Sequence, residues 1–279
     1  MSNVFAAVVC SVLVSVLLKL APRWRIELLQ AIACNYLVAG IATALILRPT
    51  LAPLDSSAAA WPALIALGML LPTIFLVLAA SVRSAGIVRS DVAQRLSLLL
   101  PLLAAFALFG ETPAPLKLLG CTLGLVALPG MIWRSEADAR LGTGWRWPLG
   151  VFFGFGVIDI LFKQLAATGL PLGSSLQVVF ALALTVATII AIARRVRLDR
   201  RSLAAGIVLG LLNFGNILFY LRAHRALPDS PSLVFAGMNL GVVGLGALAG
   251  LWLFRERLTA INFAALGLAT VAVALIALA

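Results

Sequence analysis

The sequence predicts an all-α polytopic membrane protein whose ten transmembrane helices form two inverted five-helix repeats. Three observations predict this fold: an apolar composition, ten apolar runs of membrane-spanning length, and landmarks that recur at a nearly constant spacing. Of the 279 residues, 63% are hydrophobic and 11% are charged, and the mean hydropathy is +1.12. This composition is far more apolar than that of a typical soluble domain, so we expect the chain to lie in lipid.

The apolar runs are each close to the roughly 20 residues that an α-helix needs to cross a bilayer. They lie near residues 2–20, 26–47, 60–82, 90–109 and 114–133, and then near 147–168, 173–194, 202–224, 231–253 and 258–279. The first run carries its basic residues, Lys19, Arg23 and Arg25, at its far end, which is the reverse of a cleaved signal peptide. We therefore predict a first repeat over 1–133, a connecting loop over 134–146 and a second repeat over 147–279.

The basic residues are distributed unevenly among the connections between these runs. The odd-numbered connections hold sixteen, namely Lys19, Arg23, Arg25, Arg83, Arg89, Arg95, Arg134, Arg140, Arg146, Arg194, Arg195, Arg197, Arg200, Arg201, Arg255 and Arg257. The even-numbered connections hold five, namely Arg48, Lys117, Lys163, Arg222 and Arg225. Because excess positive charge in short loops marks the cytoplasmic side, both termini are predicted to lie outside the cytoplasm. The net charge of +11 is thus a topology signal, and no nucleic-acid partner is expected.

Four pairs of landmarks recur between the two halves at nearly the same offset. They are Lys19 and Lys163 (144 residues apart), Gly68 and Gly210 (142), Gln30 and Gln177 (147), and Glu111 and Glu256 (145). Self-similarity at a fixed offset is the signature of a duplicated unit. Because each copy has an odd number of spans, the second copy enters the membrane from the opposite side. In inverted-repeat transporters the substrate site lies near the midplane between the halves, and rocking motions give alternating access.

Several motifs resemble those of a known family. The predicted fourth helix carries a central proline in Leu98-Leu99-Leu100-Pro101-Leu102-Leu103 and ends in Phe109-Gly110-Glu111, and Leu253-Phe254-Arg255-Glu256-Arg257-Leu258 echoes that ending. Together with the segments Gly156–Gln164 and Pro231–Asn239, these motifs resemble the drug/metabolite transporter superfamily, in particular its EamA and rhamnose-transporter-like branch. The resemblance covers essentially the whole chain in helix count and duplication.

The resemblance implies a transporter that imports or exports amino acids, sugars or other metabolites, often with proton coupling. One feature departs from the family. Members of its small four-helix multidrug branch carry a glutamate in the first helix, whereas Ser2–Leu20 contains no acidic residue, so a multidrug-antiporter mechanism is not carried over. The family is also often drawn with cytoplasmic termini, in contrast to the orientation that the charge distribution favours.

Asp159 is the leading candidate for a proton-coupling group inside the membrane. It lies about twelve residues into the predicted sixth helix, and Lys163 follows one turn later on the same face. An ionisable residue within a span costs at least a few kcal/mol and is a functional candidate by default. We therefore predict that Asp159 binds a proton or a substrate amine and that Lys163 controls its charge. A permanent ion pair that only joins helices is the alternative.

Amide, hydroxyl and amino side chains form the predicted substrate site. The candidate residues are Asn213, Asn216, Tyr220, Asn239, Gln94 and Lys163. Asn213, Asn216 and Tyr220 fall on one stripe of the predicted eighth helix. Gln94 and Asn239 occupy corresponding places in the fourth and ninth helices, 145 residues apart. Hydrogen bonds that only join helices are the alternative for these amides.

Two glutamates at predicted helix ends, Glu111 and Glu256, are candidates for gate residues. As gate residues they are expected to form salt bridges at the ends of the helices. The alternative is an interfacial helix cap with no role in gating.

The sequence thus favours a secondary active transporter of a small metabolite, such as an amino acid, a sugar or a similar neutral or amphipathic solute, with or without proton coupling. An intramembrane enzyme is the alternative from another class, but the chain has a single histidine, His224, and no metalloprotease or serine-hydrolase motif. A uniporter or channel-like facilitator is the other alternative, although scattered polar residues suit a discrete site better than a pore. We expect no enzymatic activity, cofactor or metal. The expected partners are the inner-membrane bilayer and a small-molecule substrate, with the chain a monomer or a homodimer.

Overall fold

The structure is a computed structural model that describes residues 1–50, 58–109, 114–133 and 144–278. Regular structure in these ranges is helical, with no β-strand, so the predicted all-α fold is confirmed there. The helices are α1 (Ser2–Leu20), α2 (Leu28–Leu47), α3 (Trp61–Ser84), α4 (Ile87–Leu96), α5 (Leu99–Phe109), α6 (Pro115–Ile132), α7 (Arg146–Ala167), α8 (Leu172–Ala193), α9 (Arg200–Ala226), α10 (Pro231–Leu248) and α11 (Ala260–Leu278).

Eight helices in the described part of the chain are long and apolar enough to cross a membrane. They are α1, α2, α3 with the preceding turn, α7, α8, α9, α10 with the turn that follows it, and α11. Helix α6 is apolar but slightly shorter. These helices fit a multi-pass membrane protein, because lipid offers no hydrogen bonds to the backbone and a helix satisfies its own.

The predicted fourth span, residues 90–109, is interrupted. Helix α4 ends at Leu96 and α5 begins at Leu99, and each piece alone is too short to cross a bilayer. Pro101 explains the interruption, because proline donates no backbone N–H and its ring crowds the carbonyl four residues earlier. That carbonyl, of Ser97, accepts a hydrogen bond from the backbone N–H of Leu100 instead (3.0 Å). The proline expected at mid-span therefore lies in the first turn of a helix, where it is tolerated.

Contacts divide the chain into two compact units. Unit 1 comprises Met1–Lys19, Val77–Gly156 and Asn216–Ala279, and unit 2 comprises Leu20–Leu76 and Val157–Gly215. Each unit contains segments from before and after the predicted connecting loop. The division of the chain into repeats at 1–133 and 147–279 follows chain order and stays a prediction.

In unit 1, α10 packs against α1 and α4, and α6 packs against α11. Two glycines allow α10 to lie close to α1. Gly237 and Gly241 lie against Val4 and Val8, and an added Cβ on either glycine would lie within about 3 Å of a valine methyl group. A small apolar cluster of α1, α9 and α10 residues, which includes Val4, Val8 and Met238, fills this contact. The glycine pair is thus used for packing inside the unit.

In unit 2, α2 packs along α8 and also against α9. The buried ring of Tyr36 contacts Phe180 of α8, with ring centroids 6.1 Å apart, and Phe75 of α3, with centroids 6.0 Å apart. Gly210 of α9 lies against Val38 of α2, so closely that an added Cβ would overlap the valine side chain. The core of this unit is therefore aromatic and aliphatic, with helices held at short distance by glycine.

Candidate functional site

Helix α4 is the most polar helix of unit 1 and is almost entirely buried. Five of its ten residues carry polar or charged side chains, namely Arg89, Ser90, Asp91, Gln94 and Arg95. Arg89, Ser90 and Asp91 are buried, and Gln94 and Arg95 are half-buried. A polar side chain withdrawn from water requires a hydrogen-bond partner in the protein, so α4 organises a network with the helices around it.

Asp91 lies near the middle of α4 and is only 2% exposed. The hydroxyl of Ser15 in α1 donates a hydrogen bond to its Oδ1 (2.8 Å). Its Oδ2 has no hydrogen-bond partner among the described residues and faces Gly246 of α10. An added Cβ at Gly246 would overlap that oxygen, so this glycine makes room for the carboxylate. Asp91 thus offers one bound and one unbound oxygen inside the unit.

One turn further along α4, Arg95 contacts two other helices. Its guanidinium donates to Oδ1 of Asn239 in α10 (3.2 Å) and to the hydroxyl of Ser11 in α1 (3.1 Å). The Nδ2 of Asn239 donates to the backbone carbonyl of Phe235 (2.9 Å), which holds the amide with its oxygen toward the arginine. Ser11 and Ser15 are one turn apart, so α1 meets Arg95 and Asp91 in register along antiparallel helices. A carboxylate and a guanidinium therefore lie one turn apart within a shared set of polar contacts.

At the start of α4, a carboxylate from the α10–α11 connection caps the helix. Oε1 of Glu256 accepts the backbone N–H of Ile87 (2.6 Å), and Oε2 accepts that of Val88 (3.2 Å). Lys19 forms an ion pair with Glu256 (3.2 Å) and donates a hydrogen bond to the carbonyl of Val82 (2.8 Å). A negative charge is favourable at a helix N-terminus because the first N–H groups have no partner within the helix.

The chain around Glu256 is shaped to hold this carboxylate. The π-helical turn Ala249–Leu253 follows α10, and the backbone N–H of Glu256 returns to the carbonyl of Gly250 (2.9 Å). Gly86 and Gly250 lie on either side of the carboxylate, and an added Cβ on either would come within 3 Å of it. Gly86 also has a φ of +100°, a conformation that other residues rarely adopt. The predicted gate candidate Glu256 is thus a helix cap and an ion-pair partner at once.

Asn262 of α11 provides a second buried anchor for α4. Its Oδ1 accepts a hydrogen bond from Arg89 (2.9 Å), while its Nδ2 donates to the carbonyls of Gly130 (2.8 Å) and Trp133 (3.0 Å) at the end of α6. One amide therefore joins α4, α6 and α11, and the C-terminal carbonyls of α6, which lack partners within their own helix, are satisfied.

A cavity of about 300 Å³ opens beside this end of α4, and we refer to it as the basic cavity. The residues that line it are Lys19, Arg83, Ser84, Ala85, Gly86, Arg89, Arg255, Glu256, Arg257 and Leu258. Five of these side chains are cationic and one is anionic. All belong to unit 1.

The predicted substrate residues are distributed between the two units. In unit 1, Asn239 joins the Arg95 network, and Asn216 donates to the carbonyl of Ala7 (2.9 Å). Tyr220 packs beside the apolar cluster with its ring 4.5 Å from that of His224. Gln94 is half-buried on α4, and its backbone carbonyl accepts the hydroxyl of Ser97 (2.6 Å).

The remaining predicted residues lie in unit 2 or outside the described part. Asn213 donates to Oδ1 of Asn35 (3.2 Å), a contact between α9 and α2. Asp159 is half-buried and Lys163 is exposed on α7. The predicted gate residue Glu111 lies outside the described residues. The stripe of Asn213, Asn216 and Tyr220 thus belongs to one helix but contributes to two units.

Sequence reasoning missed Asp91, Arg95, Ser11, Arg89 and Asn262 as a group. The prediction that Arg89 and Arg95 lie in a connection between helices is wrong, because both lie on α4. Without them, fourteen basic residues of the original sixteen remain in the odd connections against five in the even ones. The sequence does contain a signal, since residues 87–96 hold five polar side chains at the start of a run that is predicted to cross the membrane.

In unit 2, a side-chain amide forms hydrogen bonds with the backbone at the start of a helix. The side-chain amide of Gln30 in α2 makes two hydrogen bonds with the backbone of Asp199, both 2.9 Å long. Asp199 in turn caps α9, and the hydrogen bond donated by the backbone N–H of Ser202 holds the pKa of this exposed carboxyl below its ordinary value. These contacts fasten the start of α9 to α2.

Comparison with known proteins gives one relative of nearly full length. No protein-family profile matches the chain. The chain is 43% identical over 270 residues to an uncharacterized protein of Haemophilus influenzae, and the match covers 94% of this chain and 93% of that protein. Identity at this level over this length indicates one shared fold and common descent. The chain therefore belongs to the same protein family as this Haemophilus influenzae protein.

Proposed function

We propose that this protein is a secondary active transporter of a small metabolite that works by alternating access in the cell inner membrane. The observation that carries the proposal is the buried carboxylate of Asp91, which lies one turn from Arg95 and has one oxygen without a hydrogen-bond partner in the part of the chain that the structure describes. Charged groups within a membrane protein are costly, and where they persist they mark substrate or proton pathways. A hydrogen bond that only joined α1 to α4 would need neither the nearby charge of Arg95 nor the second acceptor oxygen of Asp91.

The proposed transporter is built from two inverted five-helix repeats, and several contacts support this. Arg95 and Asn239 are 144 residues apart and hydrogen-bond to each other, and Tyr36 and Phe180 are also 144 apart and in ring contact. Contact between equivalent residues is expected beside a twofold axis. In inverted-repeat transporters that axis lies in the membrane plane. On this proposal Arg95 and Asn239 lie near the midplane.

Reciprocal helix packing in unit 2 supports the same symmetry. Gly68 of α3 lies against Leu182 of α8, and Gly210 of α9 lies against Val38 of α2. The two glycines are 142 residues apart and their two partners are 144 apart. In a twofold repeat, a contact between residues of the two copies occurs a second time between the equivalent residues. The Gly210–Val38 contact is this second occurrence of the Gly68–Leu182 contact.

We further propose that the chain is a member of the drug/metabolite transporter superfamily in its EamA and rhamnose-transporter-like branch. The proposal rests on the motifs around Pro101 and Glu256 and on the paired contacts at the 144-residue offset. The same proposal includes odd-numbered connections on the cytoplasmic side and both termini outside, because the basic residues outside α4 still favour that orientation.

The proposed substrate is an amino acid, a sugar or a similar small solute with hydrogen-bonding groups. Asp91, Arg95, Ser11 and Asn239 together offer both signs of charge, a hydroxyl and an amide where α1, α4 and α10 meet. Asp91 is added to Asp159 as a candidate for proton coupling, because a buried carboxylate can exchange a proton when its surroundings change. Glu256 is the proposed gate on the side of the basic cavity.

The test uses purified protein in proteoliposomes loaded with a pH-sensitive dye and challenged with individual amino acids and sugars. We expect at least one solute to move protons, and its labelled form to show saturable counterflow. Asp91→Asn keeps the size of the side chain and the acceptor for Ser15, and we expect it to abolish proton-driven uptake while counterflow remains.

Two matched variants complete the experiment. Asp229→Asn removes an exposed carboxylate of unit 1 and is expected to leave transport unchanged. Asp159→Asn tests the second coupling candidate in the same assay. Linear flux without counterflow for every active solute would instead indicate a channel-like facilitator, and normal proton-driven uptake by Asp91→Asn would remove Asp91 from the mechanism.

A further inference from the structure

We propose that the basic cavity of unit 1 is a binding site for a phosphate-class anion, supplied either by a lipid headgroup or by a soluble phosphate. The inference goes beyond transport, since it concerns a different end of α4 from the Asp91 and Arg95 contacts. It depends on the charges, exposure and convergence of the residues that line the cavity.

The charge of the cavity is strongly unbalanced. Five cationic side chains line it, and its single carboxylate, Glu256, is already engaged by Lys19 and by two backbone N–H groups. Arg83, Arg255 and Arg257 are exposed and form no ion pair with any residue in the described part of the chain. A concave surface lined by one sign of charge concentrates counter-ions, so this cavity attracts anions.

The cations converge from three separate parts of the chain. Lys19 ends α1, Arg83 and Arg89 flank the α3–α4 junction, and Arg255 and Arg257 belong to the α10–α11 connection. Charges that only set topology need to lie on the same side of the membrane, but they do not need to surround a common space. Convergence on one cavity is the additional feature that points to a ligand.

The chemistry of the lining favours phosphate. Guanidinium groups bind phosphate oxygens in pairs of hydrogen bonds, and four of the five cations are arginines. The volume of about 300 Å³ suits a headgroup or a small phosphate and lies at the lower end of the range for small-molecule sites. Basic pockets between helices on the cytoplasmic side of membranes bind anionic lipid headgroups in the same way.

The cavity also shows that its wall accepts an oxyanion. The Glu256 carboxylate is held there by Lys19 and the first N–H groups of α4, between two glycines that leave room for it. A bound phosphate would lie beside this neutralised pair and meet the exposed arginines. The site is therefore preformed on one side and open to incoming anions on the other.

The experiment measures thermal unfolding of the purified full chain under two sets of conditions. In detergent, inorganic phosphate is titrated against chloride at equal ionic strength. In nanodiscs, phosphatidylcholine alone is compared with phosphatidylcholine plus phosphatidylglycerol. A rise in the unfolding midpoint with phosphate identifies a soluble anion as the ligand, and a rise only with phosphatidylglycerol identifies the lipid headgroup.

The test variant is Arg83→Gln/Arg257→Gln, which removes two exposed cations of the cavity. The matched control is Arg194→Gln/Arg197→Gln, which removes two exposed cations of unit 2. We expect the test variant to weaken the apparent anion affinity by about ten-fold or more and the control to leave it unchanged, because each basic side chain near an anionic headgroup contributes appreciably to its binding. No shift of the wild-type midpoint with either anion, or equal weakening in both variants, would overturn the proposal. Size-exclusion chromatography checks that both variants elute at the same volume as the wild-type protein, so that a difference in affinity does not reflect misfolding.

Discussion

The two units bury polar groups of different kinds. Among the described residues, the buried polar side chains of unit 1 include the charged residues Arg89 and Asp91, whereas those of unit 2 are neutral. The buried polar residues of unit 2 are Gln30, Asn35, Thr43, Ser174, Ser175 and Ser202. Apart from the short helices α4 and α5 of unit 1, both units are built from long apolar helices. The difference therefore lies in the polar groups that they bury.

The partners of these groups explain what the difference means. In unit 2, Gln30 and Ser174 bond to backbone groups at helix ends, which are available wherever a helix stops. In unit 1, Asp91 and Arg95 bond to side chains of other helices, which must be placed individually. Hydrogen bonds of neutral groups near helix ends carry a small desolvation cost. Burial of a charge costs several kcal/mol in desolvation, which interactions with its partners must offset. The buried charges are thus in unit 1, where side chains of other helices hold them, whereas the buried polar groups of unit 2 are neutral.

The largest expected effect on stability comes from Glu256→Ala. The substitution removes the acceptor for two backbone N–H groups and the partner of Lys19. Loss of one member of a fully buried pair costs about 3–5 kcal/mol, and because Lys19 is 21% exposed we expect about 2–3 kcal/mol here. Chemical denaturation in detergent measures the change.

Glu27→Ala is the matched control in unit 2. Glu27 precedes α2, but its side chain makes no cap hydrogen bond and is exposed. We expect its loss to change stability by only a few tenths of a kcal/mol. Equal losses in the two variants would show that the contrast between the units does not extend to their helix caps.

An intermediate effect is expected from Gly246→Ala. The added Cβ would overlap Oδ2 of Asp91, so either α10 must move or the carboxylate must turn away. Overpacking of this kind costs about 1–3 kcal/mol. The control is Gly244→Ala on the same helix, where an added Cβ meets nothing within 4 Å. We expect proton-driven transport to fall in Gly246→Ala alone; equal activities would indicate that the position of the Asp91 carboxylate is not critical.

The smallest effect is expected from Asn213→Ala. The variant removes one amide hydrogen bond between α9 and α2, and such bonds contribute about 1 kcal/mol or less. A double-mutant cycle with Asn35→Ala in the unfolding assay isolates this term. If Asn213→Ala instead raises the KM for transport without changing stability, then Asn213 contacts the substrate as the sequence predicts. In that case unit 2 also contributes to substrate binding.

The sequence alone determined the class of this protein. Long apolar runs require lipid and helices, because an unpaired backbone group in hydrocarbon is costly, and eight of the runs are confirmed as helices of spanning length. It also singled out Asn239 and Glu256, because they lie 145 residues after Gln94 and Glu111. Their roles as substrate and gate residues stay predictions. Asp91 and Arg95 were not predicted as site residues, because charges near the start of an apolar run resemble those that flank a membrane helix.

Only the tertiary structure decided which polar residues meet. Asp91 and Ser15 are 76 residues apart, Arg89 and Asn262 are 173 apart, and Ile87 and Glu256 are 169 apart. Helical periodicity assigns each residue to a face of its own helix, but it gives no information on which helix packs against that face. The interruption before Pro101, the close approaches at Gly86, Gly246 and Gly250, and the turn after α10 bring these partners together. The polar network of unit 1 is therefore a product of helix packing, whereas the membrane helices themselves follow from local composition.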